Sequence, residues 1–189
     1  TYSAVLDAAR VAARDLDTPV EFVDTATVSF PVALCVAAAA DTRQQGGDVQ
    51  AVAASARAIA ALVDSIFVVG VPALALRGGR LGAVAVPNPA TILTLGPSGL
   101  AEQGAASDID DAIARMAAHV RQVCDGRPFR VGVGDADRPD LGDQLADALD
   151  GTPGMTELTR YEVGPSVGAH SGPGTVGAVW APITQSRST

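Results

Sequence analysis

The stretch GPSVGAHSGPGTVGAVW, residues 164–180, constrains the fold more than any other part of the chain. It carries glycines at 164, 168, 172, 174 and 177 and prolines at 165 and 173. In a helix interior Gly and Pro cost roughly 1 and 3 kcal/mol relative to Ala, so the composition argues against a helix. It predicts a strand, a tight loop and a second strand ending at Trp180, with His170 and Ser171 on the loop. Two readings stay open on local chemistry. One is a glycine-rich turn with an exposed histidine. The other is a loop whose backbone is shaped to bring something close to His170.

The 189 residues suffice for one domain and a piece of a second with a real core. With 48% hydrophobic and 18% charged residues, disorder is excluded for most of the length. The formal net charge of -8 argues against a nucleic-acid or anionic-membrane surface, which need clustered Lys and Arg. Cys35 and Cys124 belong to no Cys/His cluster, which argues against zinc and for a reduced, cytoplasmic location. The longest apolar runs, residues 32–40 and 66–76, fall far short of the roughly 20 residues a membrane helix needs. A start at Thr1 with no signal-peptide pattern suggests a fragment or a processed chain.

Apolar periodicity predicts helices over 3–16, 31–44, 49–63, 72–77, 109–124 and 139–149. The second and third are joined by Gly46-Gly47 and form an αα-hairpin with mostly Ala faces. Strands are predicted over 20–24, 65–69, 81–86, 91–95, 130–134 and 155–163. Pro87-Asn88-Pro89 is a forced turn and residues 96–99 a hairpin turn. His119 lies off the apolar stripe of its helix and reads as a solvated or edge histidine.

Signals of catalysis are weak. G-x-S-x-G is absent, and Gly132-x-Gly134 lacks the third glycine and the following helix of a dinucleotide site. Asp110-Asp111 fit a helix N-terminus, where negative charge complements the dipole. A combination does stand out: hydroxyls at Thr1, Thr25, Thr27, Ser29 and Ser171, one loop histidine, and abundant apolar residues with few aromatics. An apolar tunnel with hydroxyls and a histidine at its mouth suits a long-chain carboxylate. Each methylene it buries is worth about 0.8 kcal/mol.

Four motifs in order carry a family resemblance: Thr1-Tyr2-Ser3-Ala4; Val23-Asp24-Thr25-Ala26-Thr27-Val28-Ser29; Gly78-Gly79-Arg80; and Gly164-Pro165 through Gly168, His170-Ser171-Gly172-Pro173-Gly174. Together they resemble the DegV family, bacterial fatty-acid-binding proteins that serve as the lipid-carrying subunit of fatty acid kinase. The resemblance implies a two-domain α/β fold, with residues 1–63 the remainder of an N-terminal α/β domain, 64–184 a mixed-sheet lipid-binding domain and 185–189 a tail. It implies that an N-terminal segment precedes Thr1, as part of the same polypeptide or as a separate chain. It further implies non-catalytic binding of a long-chain fatty acid, with no cofactor or metal. The carboxylate would lie at the domain junction near His170, Ser171 and Thr1. Arg80 would be structural or face a partner, and Leu74, Leu76, Ile92 and Leu93 are candidate tail contacts.

The family's basic Lys-Val-Arg before the long helix, linked to handing the lipid to a fatty acid kinase, is replaced here by Gly104-Ala105-Ala106-Ser107. The kinase therefore stays a candidate partner. Two alternatives remain open: an N-terminal-threonine hydrolase using Thr1, and a structural relative that does not bind lipid.

Overall fold

A computed structural model describes residues 5–77 and 90–183. Thr1, Arg80, residues 81–86 and the Pro87-Asn88-Pro89 turn lie outside the described residues. Helix α1 (Val5–Ala12) continues into a 3₁₀ turn (Ala13–Asp15). Two helices, α2 (Phe30–Gln44) and α3 (Val49–Ala60), form the expected hairpin. The Asp48 side chain accepts from Ala51 N at 2.8 Å and caps α3. Then follow β1 (Asp64–Val68), α4 (Pro72–Arg77), β2 (Thr91–Gly96), β3 (Gly99–Ala105), α5 (Ile109–Cys124), β4 (Phe129–Asp135), α6 (Pro139–Leu149), β5 (Met155–Glu162), α7 (Pro165–Ser171) and β6 (Val176–Pro182).

The six strands make one mixed sheet in the order β3-β2-β1-β6-β4-β5. Among the described strands only β4 and β5 pair in parallel, which the intervening helix α6 permits. Alternation along each strand sorts the side chains onto two faces. Ile66, Val68, Ile92, Val131, Val133, Val176, Ala178 and Trp180 face α5 and α6. On the other face Val179 and Ala181 are covered by Leu34, Cys35, Ala56, Ile59 and Val63 of the α2–α3 hairpin and its end. The small alanine side chains let this hairpin sit close to the sheet. The result is three layers, helix on sheet on helix.

Four expectations are corrected. Residues 20–24 are not a strand. A strand needs a ladder partner; here the Arg57 guanidinium instead donates to Phe22 O at 3.2 Å, and Asp24 Oδ1 accepts from Ala26 N at 2.9 Å in a local turn. Second, the 96–99 turn leads into β3, largely exposed and outermost among the described strands, with too little apolar alternation to announce itself. Third, of the two readings of His119 the solvated one falls and the edge one stands: it is half-buried with its ring edge-on to Trp180, centroids 5.9 Å apart. Burial pushes its pKa down, partly offset by the Asp64 carboxylate.

The fourth correction concerns the opening motif. Residues 165–171 are a helix, α7. Pro165 occupies the first helical position, where it costs nothing, and Gly164 O accepts from Val167 N and Gly168 N at 3.0 and 2.9 Å. Only Gly168 sits in the interior, a cost of about 1 kcal/mol that packing against α4 overrides. Gly172, at φ 79°, ends the helix.

Thr91 is fully buried at the start of β2, and its hydroxyl has no hydrogen-bond partner among the described residues. An unpaired buried hydroxyl costs about 1–3 kcal/mol. Thr91→Val is therefore expected to raise the unfolding free energy by about 1 kcal/mol, read as a higher urea midpoint at unchanged m-value. An unchanged or lower midpoint would show that the hydroxyl is satisfied.

Candidate functional site

On the α2–α3 face a cavity of about 250 Å³ opens between the hairpin and α7. Its floor is the sheet. Register pairing puts Tyr161, Gly134, Gly177, Phe67 and Leu93 in one row across β5, β4, β6, β1 and β2. Two glycines stand in the middle of that row; the Tyr161 ring lies over Gly134 and the Phe67 side chain starts against Gly177, so each aromatic residue uses the space a missing Cβ leaves. Phe67, Leu95, Val163, Val167 and Val179 supply apolar lining.

Hydroxyls rim this cavity. Thr25, Thr27 and Ser29 come from the segment between the 3₁₀ turn and α2. Thr27 Oγ1 donates to Thr25 Oγ1 at 3.0 Å. Ala26 and Ser29 sit at φ 50° and 67°, a region costly for non-glycine residues. Ser29 stands at the N-cap of α2 without capping it, so its hydroxyl is available elsewhere. It lies close enough to the Tyr161 phenol to oppose the rise in its pKa. Tyr161 is pushed up to about 12, mainly by burial, against the opposing influence of the Ser29 hydroxyl, so it stays protonated at physiological pH. From the opposite side Ser171 and Thr175 reach the lining. Their hydroxyls donate to Val167 O at 3.3 Å and Gly172 O at 2.8 Å.

The Val-Gly-Val-Gly run of β4 acquires its reason here. A Cβ on Gly132 would meet the ring of Phe30, with Cγ 2.9 Å away. One on Gly134 would meet the ring of Tyr161, with Cε2 at 2.5 Å and Oη at 2.7 Å. The two rings stack, centroids 4.5 Å apart and planes 14° off parallel. They pin the start of α2 to the sheet.

Of the residues singled out in the sequence, the structure gathers Thr25, Thr27, Ser29 and Ser171 around one cavity. His170 lies half-buried in the last turn of α7, next to Ser171 but not among the cavity-lining residues. Leu93 packs behind Phe67 with Val69 and Ala75. Ile92 points to the opposite face, into the α5 core. Leu74 is half-buried and Leu76 is 54% exposed. Sequence reading missed Tyr161, Phe67 and the glycine floor, whose only signal was glycine at alternating strand positions.

No group of three or more His, Cys, Asp or Glu side chains is placed to hold a metal among the described residues. Both cysteines are buried; Cys124 is pushed up to about 11 by burial, against the opposing charge of Arg127. No described helix is long and apolar enough to cross a membrane.

Fold and site together define a three-layer α/β protein with an apolar, hydroxyl-rimmed cavity on one face of a mixed sheet. The chain belongs to the DegV family, which it matches over residues 1–183. It is 35% identical over 184 residues to a DegV domain-containing protein of Streptomyces coelicolor, covering 94% of this chain and 65% of the relative. Among solved structures, it resembles a DegV family protein of Corynebacterium glutamicum with TM-score 0.83 at 21% identity, covering 98% of this chain and 73% of that one. A DegV family protein of Thermus thermophilus, described by its fatty acid binding, gives TM-score 0.83 at 24% identity, covering 96% and 68%. The chain thus spans just under two thirds of its Streptomyces relative.

Proposed function

We propose that this chain binds a long-chain fatty acid in the cavity, without chemical conversion. The observation that carries the reading is the pairing of an apolar, glycine-floored cavity with a cluster of hydroxyls on its rim. Thr25, Thr27, Ser29 and Ser171 surround the carboxylate, Thr27 and Ser171 turning their hydroxyl protons from Thr25 Oγ1 and Val167 O to donate to it, with His170 adjacent on α7. The aliphatic tail lies against Phe67, Leu95, Val167 and Val179, with Leu93 behind them. The Thermus relative, described by its fatty acid binding, supports this assignment.

Thr1 and Arg80 remain candidates for the same site. The boundary between an N-terminal part (1–63) and a lipid-binding part (64–184) is assigned to the start of the sheet, with 185–189 as a tail. A segment preceding Thr1 completes the carboxylate end. The protein is assigned to the cytoplasm, with a fatty acid kinase as partner. The neutral residues 104–107 do not leave that surface without a cation, since Arg115 Nη1 donates to Ala105 O at 2.6 Å.

An organic extract of the purified protein is expected to contain fatty acid at near one equivalent, read by mass spectrometry. A delipidated sample should bind a fluorescent fatty acid saturably. An empty extract together with no saturable binding would overturn the proposal.

A further inference from the structure

We infer that the Tyr161 phenol donates a hydrogen bond to the ligand's carboxylate and makes the hydroxyl end of the cavity selective for an anionic headgroup. The inference rests on the fatty-acid reading above and deepens it by naming a headgroup donor outside the Thr and Ser set.

Tyr161 reaches the cavity at the hydroxyl cluster, where the Ser29 hydroxyl acts on its phenol. Its ring is held by stacking on Phe30. A Cβ on Gly134 would stand 2.7 Å from Tyr161 Oη, so the missing side chain sets the phenol on the cavity floor. The neighbouring hydroxyl protons are already engaged to different degrees. Thr27 Oγ1 donates to Thr25 Oγ1, Ser171 Oγ to Val167 O and Thr175 Oγ1 to Gly172 O. Apart from Ser29, no described residue takes the phenol proton, and Ser29 is itself a hydroxyl able to donate to Oη in turn. The phenol therefore turns its proton to a ligand without giving up a backbone acceptor.

Charge points the same way. No Lys, Arg or His is among the described residues that line the cavity, so a carboxylate there is held by neutral donors. A phenol is more acidic than an aliphatic hydroxyl, which makes it the strongest of these donors. Its pKa, pushed up to about 12 chiefly by burial, keeps the proton in place at neutral pH. The nearby Asp135 carboxylate does not oppose an anion alone, because Arg160 Nη2 lies 2.9 Å from its Oδ2.

The test uses the full chain, delipidated, and isothermal titration calorimetry with dodecanoate and with 1-dodecanol, which share a tail and differ in headgroup charge. Tyr161→Phe keeps the ring and its stacking and removes only the donor. It is expected to weaken dodecanoate binding roughly 10- to 100-fold, the worth of a hydrogen bond to a charged group. The alcohol, a neutral acceptor, loses less, so the acid-to-alcohol affinity ratio falls about fivefold or more. Tyr161→Met serves where the Phe variant does not fold, since the ratio cancels packing lost equally by both ligands. Circular dichroism identifies the folded variants.

A ratio within about twofold of wild type in a folded variant would overturn the donor assignment while leaving fatty acid binding intact. Equal losses for both ligands would then make the ring a packing residue, and no loss for either would place the carboxylate away from it. A folded wild-type chain that binds neither ligand would overturn the proposed function, and the Tyr161 assignment with it.

Discussion

Gly70→Ala is expected to lower the unfolding free energy by about 3 kcal/mol, the upper end for forced overpacking. Gly70 follows β1, where the β1–α4 connection crosses the Pro173-Gly174 segment after α7. A Cβ there would collide with the Pro173 carbonyl oxygen and stand 2.6 and 2.7 Å from the carbonyl carbons of Pro173 and Gly174. Every one of these contacts is backbone, so no side chain can turn away. The crossing is also hydrogen-bonded: Gly70 N donates to Thr175 Oγ1 at 3.0 Å and Val71 N to Ser171 O at 2.9 Å. Separating the two segments breaks both. Ser171 and Thr175 line the cavity, so ligand affinity should fall with stability.

Gly168→Ala tests the same motif with the opposite sign. A Cβ there meets only Val163 O at 3.9 Å, an ordinary contact. The gain in helix propensity predicts about 0.5–1 kcal/mol of added stability. Urea unfolding of both variants checks the pair. If Gly168→Ala destabilised as much as Gly70→Ala, steric crossing would not be the reason for these glycines.

Val167→Trp should weaken fatty acid binding about 100-fold, close to 2.7 kcal/mol, with the fold kept. Val167 is half-buried on α7 and lines the cavity. Its replacement by an indole places a large aromatic group in a space of about 250 Å³. Because the position is not fully enclosed, the larger ring has room to enter the cavity without disrupting the sheet. Titration with a fluorescent fatty acid reads the effect, and circular dichroism checks the fold. Unchanged affinity would place the ligand elsewhere on the protein.

Much of the secondary structure was legible because local signals agreed. Helices α2, α3, α4, α5 and α6 announced themselves by apolar spacing and the stop at Gly46-Gly47. Strands β1, β2, β4 and β5 showed as β-branched or apolar runs. Residues 20–24 carried the same composition as these strands but found no strand to pair with. Strand β3 was missed for the converse reason: its partner, not its own sequence, makes it a strand.

The hydroxyls of the site were legible as a set, since Thr25, Thr27, Ser29 and Ser171 were picked out by residue type. The walls were not. Tyr161 and Phe67 become walls only because strand register sets them on either side of Gly134 and Gly177. Register joins residues as far apart as 67 and 177, and no local pattern encodes it. Ile92 shows the same limit. One residue of offset from Leu93 sends it through the sheet to the other face.

The sequence by itself determined the class of fold, the helical hairpin, the family motifs and the chemistry available to a site, because these depend on composition and on neighbours a few residues apart. The tertiary structure decided what the glycines of 164–180 are for. The stretch is a short helix followed by a backbone crossing. Pro165 starts the helix, Gly172 ends it at positive φ, and Gly174 lies against Gly70. At Gly172 it is the approach of Val71, far earlier in the chain, that leaves no room for a Cβ, which would stand 2.6 Å from the Val71 Cβ.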